Sequence, residues 1–207
     1  MNYISEWKTY LKNKSFNENT ISDVIIKLTE KYKENHRFYH NLNHIKNMYD
    51  TLSNFKDKID NNESIFYAIW FHDVIYDTKS FDNEEKSSDY AKYVLSDLKI
   101  NDTIIRKVIQ LILITKNHCP IENSFDEKIF LDSDLLILGQ NKDKYKEYME
   151  SIRKEFHWVD NINYNASRIT ILKKFLKRPT IYFTDEFKDL YESIARQNIQ
   201  EEISYLK

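Results

Sequence analysis

The sequence contains very little glycine, proline or cysteine. Its 207 residues include one Gly, two Pro and one Cys. Because the tight turns between strands rely on glycine and proline, their scarcity argues against sheets and favours helices joined by short loops. The single cysteine, Cys119, excludes an internal disulfide and is typical of a protein from a reducing compartment.

The chain also has no large excess of charge and no long apolar run. Lys plus Arg (31) nearly balance Asp plus Glu (33), so a nucleic-acid duplex is not an expected partner. Apolar segments such as residues 108–114 are far shorter than the roughly 20 residues that a membrane-spanning helix needs. The amino terminus is polar where a signal peptide requires an apolar core. These features predict a cytoplasmic protein without a membrane partner.

Apolar residues recur at helical spacing along almost the whole chain. Stripes with the i, i+3, i+4, i+7 pattern predict about eight or nine amphipathic helices, the second of them capped by Asn17 or Asn19. A chain of this length is sufficient for one hydrophobic core. We therefore predict an all-α fold with a single globular domain over residues 1–207.

A histidine followed by an aspartate interrupts the most apolar of these predicted helices. His72 and Asp73 lie in the stretch AIWFHDVIYD, residues 68–77, on the inward side of a helix that begins near Asn62. Burying an ionised carboxylate costs several kcal/mol unless a partner compensates for its charge. A hydrogen-bonded His–Asp pair within the core is one such compensation. A divalent cation is the other, since imidazole and carboxylate are ligands for such ions.

Histidines are also concentrated in the stretch NHRFYHNLNHI, residues 35–45, which holds three of the six in the chain. A helix face starts near Asn41 and places His44 beside the apolar stripe of its first turn. If the helix begins earlier, His40 and His44 form an i, i+4 pair that could bind one ion together. Both interpretations remain open from the residues alone.

A second carboxylate is predicted inside an apolar stripe in the segment FLDSDLLILG, residues 130–139. Helical spacing places Asp134 in the stripe and Asp132 to its side. The only glycine, Gly139, is expected as the left-handed residue that ends this helix. In the last predicted helix, Asn198 falls on the inward stripe, where it either caps a buried carbonyl or extends toward a functional site.

The order histidine, histidine–aspartate, aspartate resembles the HD superfamily of metal-dependent phosphohydrolases. The chain is most similar to a bacterial subfamily of predicted HD phosphohydrolases of about 200 residues, through the segments RFYHNLNHI, WFHDVIYD, DNEEKS, ITKNH, FLDSDLLILG, IRKEF and ARQN. The resemblance extends from about Arg37 to Ile203. It implies an HD-type helical domain with a metal-site core at about residues 35–140 and packing helices at about 141–207.

The resemblance also implies a set of roles. The metal ligands would be His44, His72, Asp73 and Asp134, the catalytic residues would be Asp73, Glu84 and His118, and the substrate-binding residues would be Arg37, Tyr39, His40 and Lys116. Only His118 lies between the doublet and the last aspartate, which favours one ion over two. The ligand types do not choose among Mn, Mg, Ni, Co, Fe and Zn.

The implied reaction is cleavage of a phosphate ester or anhydride of a small phosphorylated compound, with a nucleotide as the first candidate, by a metal-activated water. A homodimer also stays open as the oligomeric state. Two other interpretations of the function stay open. One is a regulatory module that retains the HD site and binds a nucleotide or metal without turnover. The other is a helical interaction protein in which the His–Asp pair is structural.

Overall fold

The computed structural model describes residues 3–13 and 16–207, and within these ranges every regular element is helical, which confirms the all-α prediction. These ranges contain ten α-helices and one 3₁₀ helix. The helices are α1 (Tyr3–Asn13), α2 (Glu18–Lys31), α3 (Leu42–Ser53), α4 (Asn62–Phe71), α5 (Asn83–Asp97), α6 (Asp102–Thr115), α7 (Phe125–Asp134), the 3₁₀ helix (Leu135–Gly139), α8 (Lys142–Glu155), α9 (Asn161–Leu176) and α10 (Asp185–Tyr205).

The chain divides into two compact units. The first, Met1–Asn117, contains α1 to α6, and the second, His118–Lys207, contains α7 to α10 together with the 3₁₀ helix. The predicted number of helices was too low, because a chain so poor in Gly and Pro gives few signals of where one helix ends. The single continuous domain stays a prediction. Among the described helices, none has the length and apolar character required to cross a bilayer.

Asparagine marks the beginning of many helices. In five of them an Asn side-chain oxygen accepts a hydrogen bond from a backbone N–H of the first turn, and these caps are Asn17, Asn41, Asn61, Asn101 and Asn141. Such a side chain satisfies one of the backbone donors that a helix start leaves unpaired. Of the two residues predicted as the cap of α2, Asn17 and Asn19, Asn17 is the one observed.

Helix α4 is the centre of the first unit. Every residue from Ser64 to Phe71 is buried. The helix packs against α3, α5 and α6, and Trp7 from α1 stacks on Trp70 with ring centroids 4.8 Å apart. A helix surrounded by others on all sides needs no polar face, which explains its nearly continuous apolar sequence.

Helix α4 ends at Phe71, whereas the apolar pattern predicted a helix that continues through His72 and Asp73. Beyond Phe71 the backbone carbonyls of Asp73 and Val74 accept hydrogen bonds from the side chain of Arg37. No glycine or proline marks this end. Long-range side-chain bonds to the backbone end the helix, and the local pattern does not contain that information.

The only glycine lies where α10 packs closely on the 3₁₀ helix. Gly139 does not have the left-handed backbone that its position in the sequence predicted. A Cβ built on Gly139 would lie 2.6 Å from Tyr191 Cβ and 2.8 Å from Tyr182 Oη. Glycine is therefore required here by the close approach of α10 and not by an unusual φ angle.

We expect Gly139→Ala to destabilise the protein by about 1–3 kcal/mol, as overpacking of a filled interior usually does. Tyr191 Cβ is fixed to the backbone of α10 and cannot rotate away from the added methyl group. Urea denaturation of wild type and variant measures the difference. As a control, Ser96→Ala at an exposed position of α5 should change stability by less than about 0.5 kcal/mol. Equal midpoints for Gly139→Ala and wild type would contradict the packing argument.

Candidate metal centre

Two histidines meet where one helix begins and another ends. Asn41 caps α3 and places His44 in its first turn, while His72 follows the last residue of α4. Both side chains are buried, and their Nε2 atoms are 3.1 Å apart. Two imidazole nitrogens this close need a shared proton or a cation between them.

The ring of His72 is held in one orientation by the end of its own helix. Its Nδ1 lies 3.0 Å from the carbonyl oxygen of Ile69. A carbonyl can only accept, so Nδ1 carries a proton, and Nε2 is the ring nitrogen whose lone pair binds a cation once its own proton has left. Metal-bound histidines are fixed in the same way, by a hydrogen bond from the nitrogen that does not bind the ion.

Asp73 adds a carboxylate to this pair of imidazoles. Its Oδ2 is 3.1 Å from His72 Nε2 and 3.7 Å from His44 Nε2, and 19% of its side chain is exposed. Atoms that bind one ion at about 2.1 Å lie about 3.0 to 3.4 Å from one another. The His44, His72 and Asp73 donors are close to this spacing, so the group can hold a divalent ion.

The charge of Asp73 is favoured by the neighbouring imidazoles. Burial acts to raise the pKa of its carboxyl group, but the charge and hydrogen bond of His72 outweigh burial and lower that pKa below its ordinary value. His40 and His44 act in the same direction. An ionised carboxylate is the form that binds a metal.

Side chains from several segments hold the loop that follows the ligands. The carbonyls of Asp73 and Val74 accept from Arg37, and the Ser87 hydroxyl bonds to both the N–H and the carbonyl of Ile75.

The next two residues of the loop are held in the same way. His36 Nε2 lies 2.8 Å from the carbonyl of Tyr76, and the Asn83 side chain bonds to the backbone N–H and carbonyl of Asp77. Sequence reasoning assigned no role at the site to His36, Asn83 or Ser87. The last two belong to the DNEEKS segment, so the signal was present but unassigned.

Two of the predicted substrate-binding residues lie beside the cluster. The ring centroid of Tyr39 is 5.1 Å from that of His44, and His40 stacks on Tyr76 at 4.3 Å. Because α3 begins at Leu42, His40 precedes the helix, and an i, i+4 pair of His40 and His44 on one helical face does not form. The substrate-binding roles stay predictions.

Glu84 and Lys116 belong to the same unit as the cluster. Burial, reinforced by the charge of Asp73, raises the pKa of the Glu84 carboxyl group above its ordinary value. The Lys116 ammonium group forms an ion pair with the Glu85 carboxylate. A catalytic role for Glu84 and a phosphate-binding role for Lys116 remain predictions.

The second unit contains its own histidine–aspartate pair. His118 Nε2 lies 3.2 Å from Asp134 Oδ2. The backbone of His118 is left-handed, with φ 44°, and its carbonyl accepts from Arg178 Nη1 at 2.8 Å. A φ in this region is uncommon for a residue other than glycine and indicates that the surrounding contacts hold it in place. The assignments of His118 to catalysis and of Asp134 to the metal stay predictions.

The stripe argument misjudged Asp132, which is completely buried. It accepts hydrogen bonds from the backbone N–H groups of Phe183 and Thr184 and from the Thr184 hydroxyl. Burial is the largest influence on this carboxyl group and raises its pKa to about 6. Asp132 lies within α7, but its partners follow it by 51 and 52 residues, and helical spacing within α7 does not report them. Asp132 therefore anchors the backbone before α10.

Asn198 also has a structural role. Its amide nitrogen donates to the carbonyls of Leu138 at 2.9 Å and Gln140 at 2.8 Å. Of the two interpretations that the sequence left open, capping of buried carbonyls is the one observed.

Comparison with known proteins adds no further assignment. No family model, no curated protein and no solved structure matches this chain. The resemblance to HD phosphohydrolases therefore rests on the sequence segments quoted above, while the candidate metal centre rests on its own geometry.

Proposed function

We propose that this protein is a metal-dependent phosphohydrolase that cleaves a phosphate ester or anhydride of a small phosphorylated compound, with a nucleotide as the first candidate substrate. The observation that carries the proposal is the convergence of His44 Nε2, His72 Nε2 and Asp73 Oδ2 within 3.1 to 3.7 Å. The hydrogen bond from His72 Nδ1 to the carbonyl of Ile69 directs Nε2 of the same ring toward the cluster, where it can bind a cation.

The proposed ligand set is the one that the resemblance implies, His44, His72, Asp73 and Asp134. The resemblance to HD proteins supports Asp134 as the fourth member. Two neutral imidazoles and two carboxylates balance the charge of a divalent ion and leave coordination positions for water and a phosphate oxygen. When bound, such an ion lowers the pKa of a coordinated water and polarises the phosphoryl group.

The surrounding side chains would divide the remaining work. Burial raises the pKa of Glu84, which favours the protonated form of its carboxyl group and suits it to deliver a proton to the leaving oxygen. Lys116 would leave Glu85 to contact a phosphate oxygen, for which its exposed ammonium group is suited. His118, paired with Asp134, is a second candidate for proton transfer.

We expect divalent ions to stabilise the metal-free wild-type protein and to support phosphate release. At a free ion concentration of 100 times the Kd, linkage adds about 2.7 kcal/mol to the free energy of unfolding. His72→Ala should lose both effects. The matched control is His157→Ala, because Nδ1 of His157 also bonds to the carbonyl three residues earlier, at 3.0 Å, on the exposed surface of the second unit. Melting curves and a phosphate-release screen over nucleotides and phosphate esters, with Mn²⁺, Ni²⁺, Co²⁺, Fe²⁺, Mg²⁺ and Zn²⁺, provide the measurements.

The outcomes separate the three interpretations. Hydrolysis that depends on His72 but not on His157 supports the enzyme. Binding of an ion and a nucleotide without turnover under any metal would favour the regulatory module. A wild-type melting temperature that none of the ions changes would leave only the structural His–Asp pair.

A further inference from the structure

Arg37 uses nearly all of its hydrogen-bonding capacity within the protein. Its side chain has no exposed surface. Nε donates to Glu34 Oε2 at 3.0 Å, Nη1 donates to the carbonyls of His40 at 3.2 Å and Asp73 at 2.6 Å, and Nη2 donates to the carbonyl of Val74 at 2.9 Å. Since a guanidinium group has five N–H donors, these bonds engage four of them.

Aromatic rings lie close to the same guanidinium group. Its Cζ is 5.2 Å from the ring centroid of Tyr32 and 5.4 Å from that of Tyr76, within the range of cation–π attraction. Tyr32 also donates its hydroxyl to the carbonyl of Trp70, near the end of α4. The surroundings of Arg37 are thus already filled with acceptors and rings, and a substrate phosphate would have to displace them.

The acceptors of Arg37 belong to the two segments that carry the proposed ligands. Asp73 is a ligand itself, and His40 lies four residues before His44. A planar group that binds both segments fixes their separation, as supporting side chains commonly do around metal ligands.

We infer that Arg37 is a positioning residue that holds the ligand segments of the metal centre, in place of the substrate-binding role that the sequence resemblance implies. The inference rests on the proposed function in so far as it requires the metal centre. Its chemical requirement is the planar fork of arginine, because the single nitrogen of lysine cannot reach three carbonyls and a carboxylate together.

Arg37→Lys tests this role because it retains the positive charge and loses the fork. We expect the affinity of the metal-free variant for Mn²⁺, measured by calorimetry well below its melting temperature, to fall about 10- to 100-fold, the usual effect of losing a group that supports metal ligands. A phosphate-binding arginine would act differently, since its replacement would raise KM and weaken competition by inorganic phosphate with little change in Mn²⁺ affinity.

Arg196→Lys is the matched control, because Arg196 makes the same kind of contacts within the second unit. It donates to Glu192 and to the carbonyls of Leu176, Arg178 and Pro179. We expect it to lower stability and to leave Mn²⁺ affinity at the wild-type value. If Arg37→Lys does not fold, Glu34→Ala removes the Nε acceptor, together with the ion pair of Glu34 with Lys31, and retains the carbonyl acceptors of Arg37. It should reduce Mn²⁺ affinity in the same direction by a smaller factor.

The failures of the two proposals are distinguishable. A wild-type protein that binds no divalent ion would overturn the metal centre and the role of Arg37 together. Wild-type Mn²⁺ affinity in Arg37→Lys, or an equal loss in Arg196→Lys, would overturn the positioning role while the phosphohydrolase proposal stands.

Discussion

Asp73→Ala should abolish metal-dependent hydrolysis, with a loss of at least about 1000-fold, since a catalytic ion contributes several kcal/mol of transition-state stabilisation. The substitution removes the carboxylate that lies 3.1 Å from His72 Nε2 and 3.7 Å from His44 Nε2, and with it a negative charge opposite the ion. Metal affinity should fall as well. The stabilisation that wild type gains from a divalent ion, about 2.7 kcal/mol at 100 times the Kd, should disappear in the variant.

The fold itself should survive Asp73→Ala, because the Asp73 backbone carbonyl still accepts from Arg37. Asp160→Ala provides a control of the opposite kind. It removes the carboxylate that caps α9 and should lower stability without changing metal affinity. If Asp73→Ala keeps full hydrolytic activity, or if it lowers the stability of a protein that no ion stabilises, the His–Asp pair is structural and the enzyme proposal fails.

Glu202→Ala should destabilise the protein by about 3–5 kcal/mol, the usual cost of leaving one member of a buried ion pair without its partner. Arg168 donates to both carboxylate oxygens of Glu202, at 2.7 and 3.2 Å, and Tyr145 donates its hydroxyl to the same group at 2.5 Å. All three side chains are buried within the second unit. Truncation would leave a guanidinium charge and a phenol without their acceptor.

The neighbouring residue supplies the control for this prediction. Glu201 is also ion-paired, with Lys142 at 2.9 Å, but about half of its side chain is exposed. Glu201→Ala should therefore leave the urea midpoint unchanged. The double variant Arg168→Met with Glu202→Leu should recover most of the loss, because it removes both charges and fills the space. A small effect of Glu202→Ala alone would show that water solvates Arg168 easily.

The sequence was sufficient to predict the helical class and to single out three residues that the structure brings close together, His44, His72 and Asp73. Repeated apolar stripes located the helices, and Asn17 was recognised as a cap because capping depends on residues only a few positions apart. His44, His72 and Asp73 stood out because polar residues inside apolar runs require a compensating partner. Each of these signals is local.

The remaining features depend on contacts between residues far apart in the chain. The end of α4 is set by bonds from Arg37 to carbonyls 36 and 37 residues away. Asp132 is buried because its carboxylate oxygens accept hydrogen bonds from backbone N–H groups 51 and 52 residues later. Gly139 is required by the side chains of Tyr191 and Tyr182. The periodicity of a single helix does not report such contacts. The sequence patterns therefore gave the wrong end for α4, placed Asp132 outside the buried stripe and gave the wrong reason for Gly139.

The asparagine caps have a consequence for the response of this protein to acid. Asparagine does not ionise, so the hydrogen bonds at the starts of α2, α3, α4, α6 and α8 do not titrate and are insensitive to ionic strength. Ion pairs, in contrast, lose their charge balance once their carboxylates take up protons. Acidification should therefore weaken packing between helices before it weakens the helix starts, and far-ultraviolet dichroism should persist to lower pH than the near-ultraviolet signal of the buried aromatic rings.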